Sequence, residues 1–501
     1  MPTRSPDDYK RLECPSRERR TKGVRLSYIQ FLGAAGVVTG SKHLINTGDE
    51  GGKRGMQVLV DCGLFQGQKE WRERNWQDLP IPAREIDAVI LTHAHLDHSG
   101  WIPRLVKQGF HGPIYATPAT IDLCAVLLPD SGHLQEEDAA FHNRWKTSRH
   151  DPALPLYTME EAQQCLTLFK PVPYVEPKRL CSELSFQFVD AAHILGSSMA
   201  EITLTAPSRT FRLLFTGDIG RVRDNHVSPG RVLRSGPTEN ELCDYLVMES
   251  TYGNRQHPHT DPTPELAALI RSTVQRGGSV VIPAFAVERT QKLLFMLKEL
   301  MESEQIPRVP IHADSPMAIK AVEIFLKYAA DFSPETAALI KQFGSPLDWP
   351  NFYFDLTTDD SKKINESKYP AIIVSSSGMA TGGRVLHHLI QRLPDPRNLI
   401  LFIGFQAPGT RGSDIKNGAG EVKMFGQIVP VRAQVAALEQ FSDHADTPEL
   451  LEWLHTFQAA PQHTFLVHGE PDASAQLRNA MVKDLGWNVQ VAAYKQKVPI
   501  V

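Results

Sequence analysis

The sequence predicts an α/β protein of more than one domain, and two observations carry the prediction. From Val24 onward, short apolar or alternating runs recur, and most of the polar clusters fall just after their C-terminal ends. After Thr251, strand-like runs alternate with helix-like runs, the pattern of a parallel, doubly wound sheet in an independent domain. A chain of 501 residues has room for both, at about 150 residues per domain.

Residues 1–23 come first and read as a polar, solvated arm, with little apolar periodicity among many charges. The expected strands then follow as LSYIQFLG, MQVLVDCG, IDAVILTHAH, LSFQFVDAAH, AEITLT, FRLLFTGD and DYLVMES. Between Leu123 and Phe169 the segments LQEEDAAFHNRW and TMEEAQQCLTLF have helical spacing and are expected to pack outside the sheet. The second pattern runs ELAALIRSTVQR, SVVIPAF, ERTQKLLFMLKELM, VPIHAD, a long helical region, AIIVSSSG, GRVLHHLIQRL and LILFIGF. Its helix from Glu288 to Met301 places Leu293, Leu294, Leu297, Leu300 and Met301 on one stripe. Beyond about Val431 come a strand (AQVAAL), a His-bearing loop, an amphipathic helix, the strand TFLVHGE and a last helix.

Composition excludes several classes. With 42% hydrophobic and 22% charged residues the chain is neither disordered nor collagenous. A net charge of −4 excludes a uniformly basic nucleic-acid coat while leaving room for a basic groove. No run reaches the roughly 18 apolar residues of a membrane span, and the N-terminus lacks the apolar core of a secretory signal. The six cysteines form no CxxC pair, which fits reduced thiols in a cytoplasmic protein and leaves His and carboxylates to bind any metal.

The densest chemistry is His93-Ala-His95-Leu-Asp97-His98, at the end of an apolar strand. A strand end followed by a helix start lets three imidazoles and a carboxylate converge, and these donors suit Zn²⁺, Mn²⁺ or Fe. Chance occurrence of this pattern in such a chain is of order one in a thousand. His193, Asp218 and His468 follow other strands. Each alone reads as an ordinary loop residue, but together they share the topological address of the first cluster, where loops at one sheet edge meet.

HAHLDH with downstream HILGS, FTGD and LVHGE resembles the metallo-β-lactamase superfamily. ESTYG, SSSGM and SDHAD resemble its β-CASP branch of nucleases, which includes the endonuclease subunit of the cleavage and polyadenylation specificity factor and its prokaryotic relatives. The resemblance runs in order from about residue 25 to 501. It implies an αββα sandwich over 24–254 and 431–501, interrupted by an α/β β-CASP domain over 255–430, with the active site in the cleft between them. It further implies two Zn²⁺, with Mn²⁺ as the alternative. His93, His95 and His193 would hold one ion, Asp97, His98 and His468 the other, and Asp218 would bridge them. Glu249, His444 and His468 match three additional β-CASP motifs.

The implied activity is that of a zinc-dependent ribonuclease cutting phosphodiester bonds with a metal-activated hydroxide, in RNA processing or decay. Asp97, His444 and Glu249 are its candidate catalytic residues. His444 would serve as general acid, since an imidazolium can donate a proton near neutral pH, and the resemblance gives Glu249 the task of orienting it. The competing reading of His444 is a residue of the capping region before a helix that starts near Thr447, with Asp446 as cap. Ser377, Gly378, Thr381 and Arg384 lie on a glycine-rich turn between strand and helix that could cradle phosphate, and Arg289 and Arg411 are further candidate contacts. Two positions depart from the family pattern: Asn254 where Asp commonly follows ESTYG, and Glu288 where glycine is common.

Single-stranded RNA is the expected partner, with a homodimer or RNA-processing partners as further expectations and no membrane. His468 resembles the RNA-processing members, whereas DNA-repair members usually carry an apolar residue there. The alternatives are a small-molecule metallohydrolase acting on a thioester or lactone, a DNA nuclease of the same fold, and a non-catalytic RNA scaffold.

Overall fold

A computed structural model describes residues 27–49, 54–148, 150–206, 209–221, 243–258, 260–285, 287–328, 334–404 and 406–501. The polar arm expected at 1–23 lies outside them.

Two seven-stranded sheets make up the first domain. One runs, edge to edge, through Lys497–Pro499, Tyr28–Phe31, His43–Asn46, Gln57–Val60, Ala88–Ile90, Ile114–Ala116 and Phe169–Pro171. The other runs through Val489–Val491, His463–Val467, Tyr245–Glu249, Thr210–Phe215, Ser198–Thr205, Leu184–Asp190 and Lys178–Arg179. Their residues alternate between faces, as the period of two in a strand requires. Val58, Val60, Leu213, Phe215 and Val247 point into the core between the sheets. Leu59 packs outward on Trp101, Leu105 and Leu123, and Leu214, Leu246 and Met248 pack outward on Leu450, Trp453, Leu477 and Met481. Helices therefore cover both outer faces, and the layers are αββα. Where both faces are buried, as in Gln57–Val60, Ala88–Ile90 and Tyr245–Glu249, the strand reads as a nearly continuous apolar run.

The second domain is built on a six-stranded parallel sheet in the order Phe352–Phe354, Ile311–Asp314, Ile372–Ser375, Val280–Pro283, Leu399–Ile403 and Gln434–Leu438. Helices Thr263–Gln275, Arg289–Glu302 and Pro316–Lys327 contribute to the core on one face, and Thr358–Glu366, Val385–Arg392 and Arg411–Lys416 to that on the other. One boundary differs from the sequence expectation. Gln434–Leu438, expected to belong to the returning first domain, pairs with Leu399–Ile403 throughout its length. Its Leu438 packs into one core while Val435 and Ala437 pack against the other. The inserted sheet thus continues to Leu438. The helix Arg289–Glu302 also differs, being buried on nearly every side rather than along one stripe. Phe343 and Trp349 cover its polar side, 5.2 and 5.5 Å from the Lys298 ammonium.

The domains meet through an apolar seam, since Val287, Ala321 and Phe325 of the insertion join the core that contains Leu123, Ile194 and Leu195 of the first domain. Lys327 Nζ and Tyr328 OH add hydrogen bonds to Asp122 Oδ2 at 2.6 and 2.8 Å. Asp122 lies on the long helix Pro118–Trp145, which forms one wall of an interdomain cleft of about 2550 Å³. Among the described residues no helix is long and apolar enough to cross a membrane.

Candidate metal centre

The first cluster is shaped by a strand end and two close backbone approaches. After Ala88–Ile90 the chain delivers Thr92 and His93, then turns at His95 into the one-turn helix Leu96–Ser99, which carries Asp97 and His98. The turn packs on the Cys62–Gly63 backbone, with Cys62 N–H bonded to the His98 carbonyl at 2.7 Å. A Cβ at Gly63 would lie 1.6 Å from the Asp97 carbonyl oxygen, so only glycine fits. Gly220 plays the same part beside the His193 loop, where a Cβ would sit 1.7 Å from the Ala192 carbonyl oxygen.

All seven expected donors converge. His93, His95, His193 and Asp218 form one group and Asp97, His98 and His468 another, with the donor atoms of each group within 4.8 Å of one another. Asp218 divides its oxygens between the groups. Oδ2 lies 3.5 Å from His93 Nε2 and 3.6 Å from His193 Nε2, while Oδ1 lies 3.2 Å from His98 Nε2 and 3.3 Å from His468 Nδ1. Pairs of imidazole nitrogens face each other at 3.3 Å, His95 Nδ1 to His193 Nε2 and His98 Nε2 to His468 Nε2.

The donor set fits cations on its own chemistry. His93 Nε2 and Asp218 Oδ1 are buried and make no hydrogen bond, a costly state for a polar atom without a ligand. Burial, aided by charge from neighbouring imidazoles, holds His93 and His95 well below the ordinary histidine pKa, and burial with His444 brings His193 to about 4. Neutral rings are the form that binds metal. For Asp97, burial is outweighed by the His468 hydrogen bond and the His98 charge, which hold it down to about 2. For His98, burial is likewise outweighed, by Asp218 and Asp61, which favour positive charge at this ring.

A further residue supports the set and escaped the sequence reading. Asp61 Oδ2 lies 2.8 Å from His98 Nδ1 and accepts the Thr92 hydroxyl at 3.0 Å, while Oδ1 accepts the Thr92 N–H at 2.8 Å. It fixes the ring whose Nε2 faces Asp218, as carboxylates beside ligating histidines do. The available signal was its address, a strand-end Asp in MQVLVDCG.

Beside the donors, His444 Nδ1 faces both oxygens of Glu249 at 3.1 and 3.2 Å. Glu249 is fully buried, and its Oε1 accepts the Ile219 N–H at 2.5 Å. Burial lowers the His444 pKa, but the charge and hydrogen bond of Glu249 prevail and raise it to about 9. Asp218, Glu249 and His444 themselves form a third potential metal-holding group. The capping expectation also holds, since Asp446 caps the helix Thr447–Leu454 through a reciprocal pair with Glu449. The segment carries both the helix cap and the His444–Glu249 pair.

The expected phosphate contacts divide. Ser377 and Thr381 line the cleft, with Ser377 Oγ accepting the Thr381 N–H at 3.0 Å. Gly378 faces the Phe285 ring, which its Cβ would meet at 2.7 Å. Arg384 also borders the cleft, but its guanidinium donates to Asp314 Oδ1 and to the carbonyls of Asp355 and Leu356 at 2.7–2.8 Å. Arg411 donates to the Lys423 and Thr381 carbonyls, and Arg289 Nε to Asp443 Oδ2 at 3.0 Å. These arginines brace the walls. Asn254 donates to Asp472 at 2.7 Å, a contact that an Asp at 254 would turn into repulsion.

Comparison with known proteins matches three stretches of the chain. Residues 53–242 match the metallo-beta-lactamase superfamily, 290–415 the Beta-Casp domain, and 428–492 the Zn-dependent metallo-hydrolase RNA specificity domain. The chain is 36% identical over 469 residues to ribonuclease TTHA0252 of Thermus thermophilus, covering 93% of this chain and 99% of that one. It is 29% identical over 484 residues to transcription termination factor FttA of Methanosarcina mazei, covering 94% and 70% respectively. Its identity to FttA of Methanocaldococcus jannaschii is 30% over 455 residues, covering 88% and 67%.

Proposed function

This chain belongs to the β-CASP branch of the metallo-β-lactamase superfamily, and from that premise we propose that it is a two-zinc ribonuclease cutting single-stranded RNA in its interdomain cleft. The observation that carries the proposal is Asp218, whose two oxygens serve two donor groups at once beside the His444–Glu249 pair. Bound dications would lower the pKa of water from 15.7 toward about 7 and neutralise charge on the phosphate. His93, His95 and His193 would hold one, Asp97, His98 and His468 the other, and Asp218 both.

The chain's own residues supply the rest. Asp97 stays ionised and lines the cleft, where its carboxylate orients the attacking water. Glu249 holds Nδ1 of His444, leaving Nε2 as the ring position that gives a proton to the departing oxygen. Ser377, on the cleft lining, offers its hydroxyl to the phosphates of the strand. A cleft of about 2550 Å³ exceeds the roughly 300–1,000 Å³ of small-ligand sites, which argues against a thioester or lactone substrate. His468 completes the second donor group and supports RNA over DNA as substrate, by likeness to the RNA-processing members.

The test is an RNA labelled at either end and a DNA strand of the same sequence, each incubated with protein of measured metal content, with and without chelator. We expect close to two zinc per chain, cleavage of the RNA, and its loss on chelation. Chelator-resistant cleavage, or DNA cut as fast as RNA, overturns the proposal.

A further inference from the structure

Glu288 stands on a backbone that works against its own side chain. Its φ is +69°, where Cβ is crowded and glycine is favoured, and it is only 3% exposed. It immediately precedes the helix Arg289–Glu302 but makes no side-chain cap to it. Its Oε2 crosses instead to the first domain and accepts the Leu195 N–H at 3.2 Å.

Leu195 lies two residues after His193. The loop between them satisfies itself in part, since Ser197 Oγ accepts the N–H groups of His193 and Ile194 at 3.0 and 3.1 Å, and Ser197 N–H returns to the Ile194 carbonyl. The acceptor for Leu195 N–H comes from the inserted domain. The flanking residues act alongside. Val287 shares a core with Ile194 and Leu195. Arg289 holds the Asp443 side chain at 3.0 Å, and the Asp443 carbonyl lies 3.0 Å from His193 Nδ1. The start of one helix therefore reaches His193 from two sides.

We propose that Glu288 is a positioning residue for the metal centre, fixing from the inserted domain the loop that presents His193. The proposal rests on the reading of His193 as a metal donor. A strained, buried carboxylate is retained here because its acceptor oxygen orders that donor, and glycine, which suits the backbone better, supplies no acceptor.

The test measures zinc release to a chromogenic chelator, alongside thermal melting of the metal-free protein, for wild type, Glu288→Gln, Glu288→Met and Glu288→Gly. Gln keeps an acceptor oxygen, whereas Met keeps the length and the backbone strain but accepts poorly. Groups that orient metal ligands typically change metal affinity about 10–100-fold, so Met and Gly should release one of two zinc ions at least about 10-fold faster while Gln matches wild type. Metal-free Gly should melt no lower than metal-free Met, because its backbone is relieved. Equal release from Met and Gln overturns the proposal. Wild-type protein that binds no metal overturns it together with the reading of the donor set; two retained zinc ions with equal release from Met and Gln overturns it alone.

Discussion

Several imidazoles at the centre are oriented through the nitrogen that does not face the partner donors. Thr92 Oγ1 sits 3.1 Å from Nδ1 of His93, Asp61 engages Nδ1 of His98, and the Asp443 carbonyl faces Nδ1 of His193. His444 follows the same rule with a stronger partner, and its side chain is the more open of the pair, 11% exposed against 0% for Glu249. A general acid typically contributes about 10²–10⁴ in rate, so on the proposed role His444→Ala should slow cleavage by that factor with zinc content unchanged. Glu249→Gln checks the sign of the electrostatics. The carboxylate raises the His444 pKa, so its loss lets the imidazolium deprotonate at lower pH. The alkaline limb of the pH–rate profile should move to lower pH, and a profile left in place or moved upward contradicts the role.

At the scale of elements, donors sit where strands end and backbone packs on backbone. Gly63→Ala would drive a methyl into the Asp97 carbonyl, and forced overpacking of this kind costs about 1–3 kcal/mol. Lower melting temperature and loss of zinc should appear together, whereas a variant that retains both would show that the turn is not held there. This geometry also explains what was legible in the sequence. The donors could be read because strand-end His and Asp residues in fixed order are rare, and the layers because Val58, Leu59 and Val60 belong to runs apolar on both faces. Asp61 went unread because a single Asp after a strand resembles any turn residue until its partner His98 is located in space. Gln434–Leu438 was assigned to the wrong sheet because AQVAAL fits either sheet and only its pairing with Leu399–Ile403 decides. The guanidinium of Arg384 could not be placed for a like reason, since Asp314, its partner, is 70 residues away in sequence.

At the scale of the molecule, the two domains share a core rather than a solvated joint, so the cleft has a set width. RNA affinity should still depend on salt despite a net charge of −4, because release of counterions follows the phosphates contacted, with a log–log slope of roughly −0.7 for each on a single strand. Since Arg384 and Arg411 are engaged internally and Arg289 is buried, the contacts should come from residues such as Arg72 and Lys423 on the cleft lining. Replacing either with Ala should flatten the slope, and an affinity indifferent to salt in the wild type refutes the picture. The order of the chain has one more consequence. His93, His95, Asp97, His98, His193 and Asp218 all precede the inserted domain, whereas His444 and His468 follow it. During translation, a nascent chain that has emerged only as far as the insertion has neither His444 nor His468. On the proposed roles, a chain that cuts RNA is therefore incomplete while it lies beside the message that encodes it, until the insertion has been made and the strand leading to His468 has joined the sheet.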